Sequence, residues 1–183
     1  MGRLFDGVAA LLGLRHYASY EGQAAMLLEA AAIRAARRLG LPGAASEDEP
    51  SWHHAREKPV PPSAASDPVD APVRLPTVAF AQSVLRELDQ GLEPDVIALH
   101  FHHNLAQATA RTAAALAGGH GCETVALSGG VFQNMLLLEL LSRDLEARGL
   151  RVLVHRNVPT NDGGLCLGQA QTAAAIVLRN GAA

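Results

Sequence analysis

Aromatic side chains are scarce in this sequence: one Trp, two Tyr and four Phe among 183 residues. So few rings leave little surface on which nucleobases could stack, and a net charge of −3 supplies no basic field to hold a phosphate backbone. Nucleic acid is therefore not an expected partner. Cysteine is nearly absent. Cys122 and Cys166 lack metal-ligand spacing and are too few for a disulfide framework, as suits a reducing compartment. No apolar run approaches the length that spans a bilayer, and no apolar core with a small-residue cleavage site opens the chain. The expectation is a cytoplasmic protein without membrane contact, of a length that suits one compact domain.

Proline is confined. Eight of the ten fall between residues 41 and 76, the others being Pro94 and Pro159. That density excludes a regular helix and predicts a long surface loop over 41–76, holding at most one short strand. Helical periodicity surrounds it. Leu4, Phe5, Val8, Leu11 and Leu12 share a face over 3–12, stopped by Gly13; Met26, Leu27, Ala30 and Ile33 form the expected stripe of a helix over 23–39, capped by Gly40. Further helices are predicted near 77–90 and 95–117. Beyond Gly118-Gly119, "TVALS" (124–128) and "RVLVH" (151–155) read as short buried strands around a helix near 132–148, a βαβ unit whose strands should run parallel. A last helix is expected over about 164–179.

The stretch "ALSGGVFQNMLLLELL" (126–141) puts Gly129 and Gly130 where strand passes into helix. Open α/β sheets bind ligands at such carboxyl ends, and bare backbone N–H groups with a helix N-terminus there favour anionic groups. Glycine would equally serve a tight corner with no ligand, and the pair matches neither a P-loop nor a dinucleotide fingerprint. Asn134, one turn into the expected helix, interrupts an apolar face; its amide suits a nucleobase or nearby backbone. "NDGG" (161–164) repeats the strand–turn–helix geometry, and Asp162 there suits an N-cap or a hard ligand to a divalent cation. His100, His102 and His103 are not spaced four apart, and His102 and His103 diverge by about 100° on a helix, so they do not clamp one ion. His53 and His54 lie in the proline-rich stretch.

Five motifs in order, "GRLFDGVAALLGL" (2–14), "SYEGQAAMLLEA" (19–30), "FHHNLA" (101–106), "ALSGGVFQNMLLLELL" (126–141) and "VPTNDGGLCLGQA" (158–170), closely resemble the C-terminal part of the HypF family, the carbamoyltransferases of [NiFe]-hydrogenase maturation. The resemblance spans nearly all of the chain outside 41–76. It implies an α/β fold: a helix-rich single lobe of the actin-like (ASKHA, ribonuclease H-like) architecture shared with Kae1-like proteins, carrying the short parallel βαβ unit. By the same resemblance Asp6 would contact a ribose and Gly22 would let that ribose approach the backbone. Gly129 and Gly130 would line the phosphate side, Asn134 would face adenine, and Asp162 would ligate a divalent metal ion. The ligand implied is ATP or carbamoyl-adenylate, and the partner a HypE-like protein whose C-terminal cysteine accepts the carbamoyl group.

The sequence matches only the second lobe of that family's Kae1-like domain. It holds no HxxxH pair to join Asp162, so the expectation is about half of a site: weak for a cation, and inactive or dependent on another polypeptide by itself. Apolar faces near 3–12 and 164–179 would then want cover, which predicts a homo-oligomer. The alternative is a non-catalytic module that binds nucleotide or a maturation partner.

Overall fold

The computed structural model describes residues 2–41 and 74–181. The expected loop over 41–76, with His53 and His54, lies outside the described residues except at its two ends. Helix α1 (Gly2–Leu11) and α2 (Gln23–Leu39) precede that segment. After it come α3 (Thr77–Asp89), α4 (Pro94–Gly119), strand β1 (Thr124–Leu127), α5 (Met135–Glu146), β2 (Arg151–Val154) and α6 (Leu165–Gly181). Short 3-10 turns precede α5 and α6, at Gly130–Gln133 and Asp162–Gly164. The fold is helix-rich α/β, as expected.

Local signals place the helix ends. Gly40 takes φ 63° beyond α2, and its N–H bonds the carbonyls of Ala36 and Arg37, the left-handed cap that costs glycine least. Pro94 and Asp95 open α4, where a missing N–H costs nothing and a carboxylate meets the positive helix end. Asp95 also takes a two-pronged bond from Arg34 of α2, at 2.8 and 2.9 Å. The pair is largely solvated and fixes register more than it stabilises.

Helix α4 is the axis of the core. Helices α2, α3 and α5 and strand β1 pack around it, and α2 is its most extensive neighbour. The face α2 turns inward is Ala24, Leu28, Ala31, Ala32, Ala35 and Ala36. This corrects the expected stripe, since Met26 and Leu27 are exposed. Ala98, Ala106 and Ala110 of α4 are buried as well, so small side chains make up much of the core between these elements, and Leu28 is the one large side chain on the buried face of α2. Three of the four phenylalanines fill the far side. Phe101 meets Phe5 edge-on with centroids 5.3 Å apart and Phe80 at 6.4 Å. Helix α1 is therefore covered, with Phe5, Val8, Ala9 and Leu12 buried, against the expectation that its apolar face lacks a partner.

The strands form a two-stranded parallel sheet in which Leu127 lies opposite Val154. They are half-buried rather than buried, Leu127 alone being fully covered. Helix α6 stands apart. Every residue from Leu165 to Arg179 is exposed, Ile176, Val177 and Leu178 among them.

The aromatic contacts around Phe101 predict that Phe101→Ala lowers the free energy of unfolding by about 3–5 kcal/mol, read from urea denaturation followed by circular dichroism.

Candidate functional site

Both strands end on the same edge, so the residues that follow them emerge side by side. After β1 come Ser128 and Gly129; after β2 comes His155, and Ser128 Oγ lies 2.9 Å from His155 Nε2. Gly129 has φ 104° and ψ 158°, a conformation that L side chains disfavour. Its N–H donates to the Thr160 carbonyl at 2.9 Å, and Thr160 Oγ1 donates to the Gly129 carbonyl at 3.0 Å. That reciprocal pair fastens the two glycine turns together. Asn161 caps the second turn, its Oδ1 accepting from Gly163 N–H at 3.0 Å. At Gly164 a Cβ would fall 2.5 Å from the Pro159 carbonyl oxygen, so only glycine fits. An open cleft of about 650 Å3 lies here, with Ser128, His155, Thr160 and Asn161 at one end and Gly168 and Ile176 of α6 along the other.

Two backbone N–H groups open the 3-10 turn that follows Gly129. The first hydrogen bond of the 3-10 turn runs from Phe132 N–H to the Gly129 carbonyl, so the N–H groups of Gly130 and Val131 precede its ladder. The N-terminus of α5, by contrast, is closed, which corrects the expectation that it lies open to an anion. Asn134 Oδ1 accepts from Leu137 N–H at 2.8 Å, and Glu29 Oε1 of α2 accepts from Leu136 N–H at 3.1 Å. Burial raises the Glu29 carboxyl above its ordinary range, while bonds from Leu136 and Met135 pull it back down.

Asn134 is the N-cap of α5 and not a residue one turn inside it. The sequence pattern misplaced it because the 3-10 turn before it reads as the start of the helix. Its Nδ2 lies 3.0 Å from His102 Nε2, and His102 Nδ1 lies 2.7 Å from the Ala98 carbonyl. Only Nδ1 can donate to that carbonyl, so Nε2 holds the lone pair that accepts from Asn134. Both side chains are buried. Burial first of all, and His103 beside it, lower the His102 pKa to about 4 although the Ala98 bond opposes them; the ring is neutral.

The expected ligand residues are thus dispersed in role. Gly129, Gly130 and the turn holding Asp162 come together through the Thr160 bonds, and Gly130 faces Asn161, whose Cβ would be 3.8 Å from an added one. Asp162 is exposed, and the capping role open to it in the sequence belongs to Asn161. Asn134 is tied to α1 through His102, whose ring meets Phe5 at 5.6 Å, next to Asp6. Gly22 precedes α2 with φ 79° and open space where a Cβ would be. Among the described residues no hydrogen bond joins Asp6 or Gly22 to the glycine turns. Nor does any group of three or more His, Cys, Asp or Glu there suit a metal ion, so Asp162 offers a single carboxylate and no self-contained metal site. Sequence reasoning missed Glu29, Ser128, His155 and Asn161, and it passed over His102 as a capping partner. "FHHNLA" held the only signal for His102, and its partner lies 32 residues away.

Residues 1–169 match the family model for the carbamoyltransferase Kae1-like domain, second subdomain. The chain belongs to the HypF carbamoyltransferase family. It is 38% identical over 175 residues to carbamoyltransferase HypF of Rhodobacter capsulatus, covering 95% of this chain and 19% of that protein. It is 36% identical over 188 residues to carbamoyltransferase HypF2 of Cupriavidus necator, covering 94% and 21%. Among solved structures it matches full-length HypF in the phosphate- and nucleotide-bound form with a TM-score of 0.71 and 32% identity, over 97% of this chain and 20% of that one. The chain thus spans about a fifth of the length of these HypF relatives. Its fold is that of the matching part of HypF, the second subdomain of the Kae1-like domain. No helix among the described residues is long and apolar enough to cross a membrane.

The neutral His102 gives a signed pH dependence. Its folded pKa of about 4 lies below the ordinary 6.5, so the unfolded chain takes up the proton first. The stability it secures is whole above pH 6.5 and is lost as pH falls through about 4. Urea midpoints from pH 7.5 to 4 should fall more steeply for the natural chain than for His102→Gln, by about 3 kcal/mol over that span. Parallel curves would refute the assignment.

Proposed function

We propose that the chain is a carbamoyltransferase lobe of hydrogenase maturation, acting in the cytoplasm and binding ATP or carbamoyl-adenylate at the edge formed by the two glycine turns. The observation that carries this is the reciprocal bonding of Gly129 and Thr160, which sets the Gly130 and Val131 donors beside the Asp162 turn. The bound form of the HypF structure it matches supports the ligand class. The carbamoyl group would pass to the C-terminal cysteine of a HypE-like protein. The thiolate attacks the carbamoyl carbon, an S–C bond forms, and the bond from that carbon to the phosphate oxygen breaks. AMP leaves with the charge, which the N–H groups of Gly130 and Val131 can meet.

Within this reading Asp6 contacts the ribose and Gly22 keeps the approach to it bare. Asn134 meets adenine with the one N–H and the one lone pair that His102 and Leu137 leave it. A divalent ion held by Asp162, together with ligands beyond the described residues, would supply a counter-charge to the phosphate.

A second reading, a non-catalytic docking module, is favoured by α6. Its apolar residues have no cover, and a second copy of this chain could supply it.

Calorimetric titration tests the first reading: AMP and ATP should bind with Kd at or below about 1 mM, a binding free energy of about −4 kcal/mol. An absence of binding at millimolar ligand would favour the docking module. Light scattering tests self-association. A mass above that of one chain is expected at micromolar concentration, reduced by Ile176→Asp, and a strictly monomeric mass would exclude a homo-oligomer.

A further inference from the structure

The pair formed by Ser128 and His155 lies outside the buried core. Both side chains are exposed, each immediately follows its strand, and they bond each other at 2.9 Å at the polar end of the 650 Å3 cleft. A surface histidine with a hydroxyl partner is commonplace. This one is placed by strand register, because Leu127 and Val154 are opposite one another and the next residue of each strand must emerge at the same edge. Ser128 also directly precedes Gly129, so its hydroxyl lies two and three residues before the Gly130 and Val131 N–H donors. The mouth of the cleft thus gathers a hydroxyl and an imidazole, and the turn that carries the Gly130 and Val131 N–H groups follows Ser128 in the chain. The described residues add no carboxylate bonded to His155 that would make the ring a triad base.

We propose that His155 is a phosphate-binding residue of this site and Ser128 its positioning residue; the inference rests on the nucleotide reading above. In the free chain Ser128 holds the imidazole edge-on to the cleft. When a nucleoside monophosphate enters, His155 Nε2–H turns from Ser128 Oγ to a phosphate oxygen, and the freed hydroxyl donates to the same group. The one neutral hydrogen bond between them gives way to two charge-assisted ones, which are shorter and about twice as strong. The imidazole also adds a ring N–H donor, which neither glycine turn supplies. A phosphate gripped this way distinguishes AMP from adenosine, whereas contacts of Asp6 or Asn134 to ribose and base would not.

Calorimetry with AMP and with adenosine separates the contributions. His155→Gln should weaken AMP about tenfold and leave adenosine unchanged, the loss of one solvent-accessible charge-assisted bond. Ser128→Ala should weaken AMP by less, and Ser128→Thr, which restores the hydroxyl, should recover it; His120→Gln, an exposed histidine at the far end of α4, should change neither ligand. Circular dichroism melts show that each variant is folded. AMP affinity unchanged in His155→Gln overturns the inference and leaves the nucleotide reading standing. Equal losses for AMP and adenosine overturn it as well, since they mark a structural role. Failure of the natural chain to bind either ligand removes the nucleotide reading, and the inference with it.

Discussion

The close approach of α2 to α4 is the constraint from which the other placements follow. Much of the buried surface of both helices is alanine. Ala31, Ala32, Ala35 and Ala36 of α2 and Ala98, Ala106 and Ala110 of α4 are all buried, together with Leu28, Ile97, Leu99 and Leu105. Each alanine contributes little apolar area, but none loses side-chain entropy on burial, and dispersion contacts accumulate along two long helices. With that distance fixed, Glu29 of α2 can reach the first turn of α5, and His102 of α4 can reach Asn134. A larger residue at Ala31 or Ala35 would wedge the helices apart and break both bonds without touching either partner.

The start of α5 shows what those two bonds accomplish. A helix N-terminus exposes unsatisfied N–H groups and a positive dipole end, and it accepts any anion available. Here the protein supplies its own carboxyl group and its own cap, and binding potential shifts a few residues back to the 3-10 turn. The glycine pair thus presents donors that the helix cannot offer. Those donors sit beside a second glycine turn, which Thr160 holds in place on both its backbone and its side chain.

Much of this was legible in the sequence. Gly13 and Gly40 marked helix ends, Pro94 a helix start, and the βαβ unit was readable from two short apolar runs around a leucine-rich segment. The α2 stripe was not, since an alanine-rich helix is apolar nearly all round and size is a poor guide to direction when the neighbouring backbone is close. Asn134 escaped for a related reason. A 3-10 turn and a first α-turn carry the same residue pattern, and they differ only in where the hydrogen-bond ladder begins. Contacts such as Asn134 with His102 and Ser128 with His155 were invisible because tertiary packing makes them. Their sequence separations carry no periodicity. The five ordered motifs located the region of the site, but they did not show which donors within it were already taken.

Helix α6 brings the two halves of this picture together. It follows directly from the second glycine turn, so whatever covers its apolar side chains also acts on the turn that holds Asp162 and Asn161. Its own attachment is slight: among the described elements it packs chiefly on that turn. A 17-residue helix of mainly alanine and other apolar residues is only marginally stable in water without tertiary contacts. Cover on α6 would therefore order the helix, and the helix in turn would steady one wall of the cleft. Gly164, which lies against the Pro159 carbonyl, is where that stiffness would pass into the site. Ligand binding and docking on α6 would then favour each other, because each would meet part of the ordering cost of the other. The two readings of this chain would accordingly describe the two ends of one coupled element.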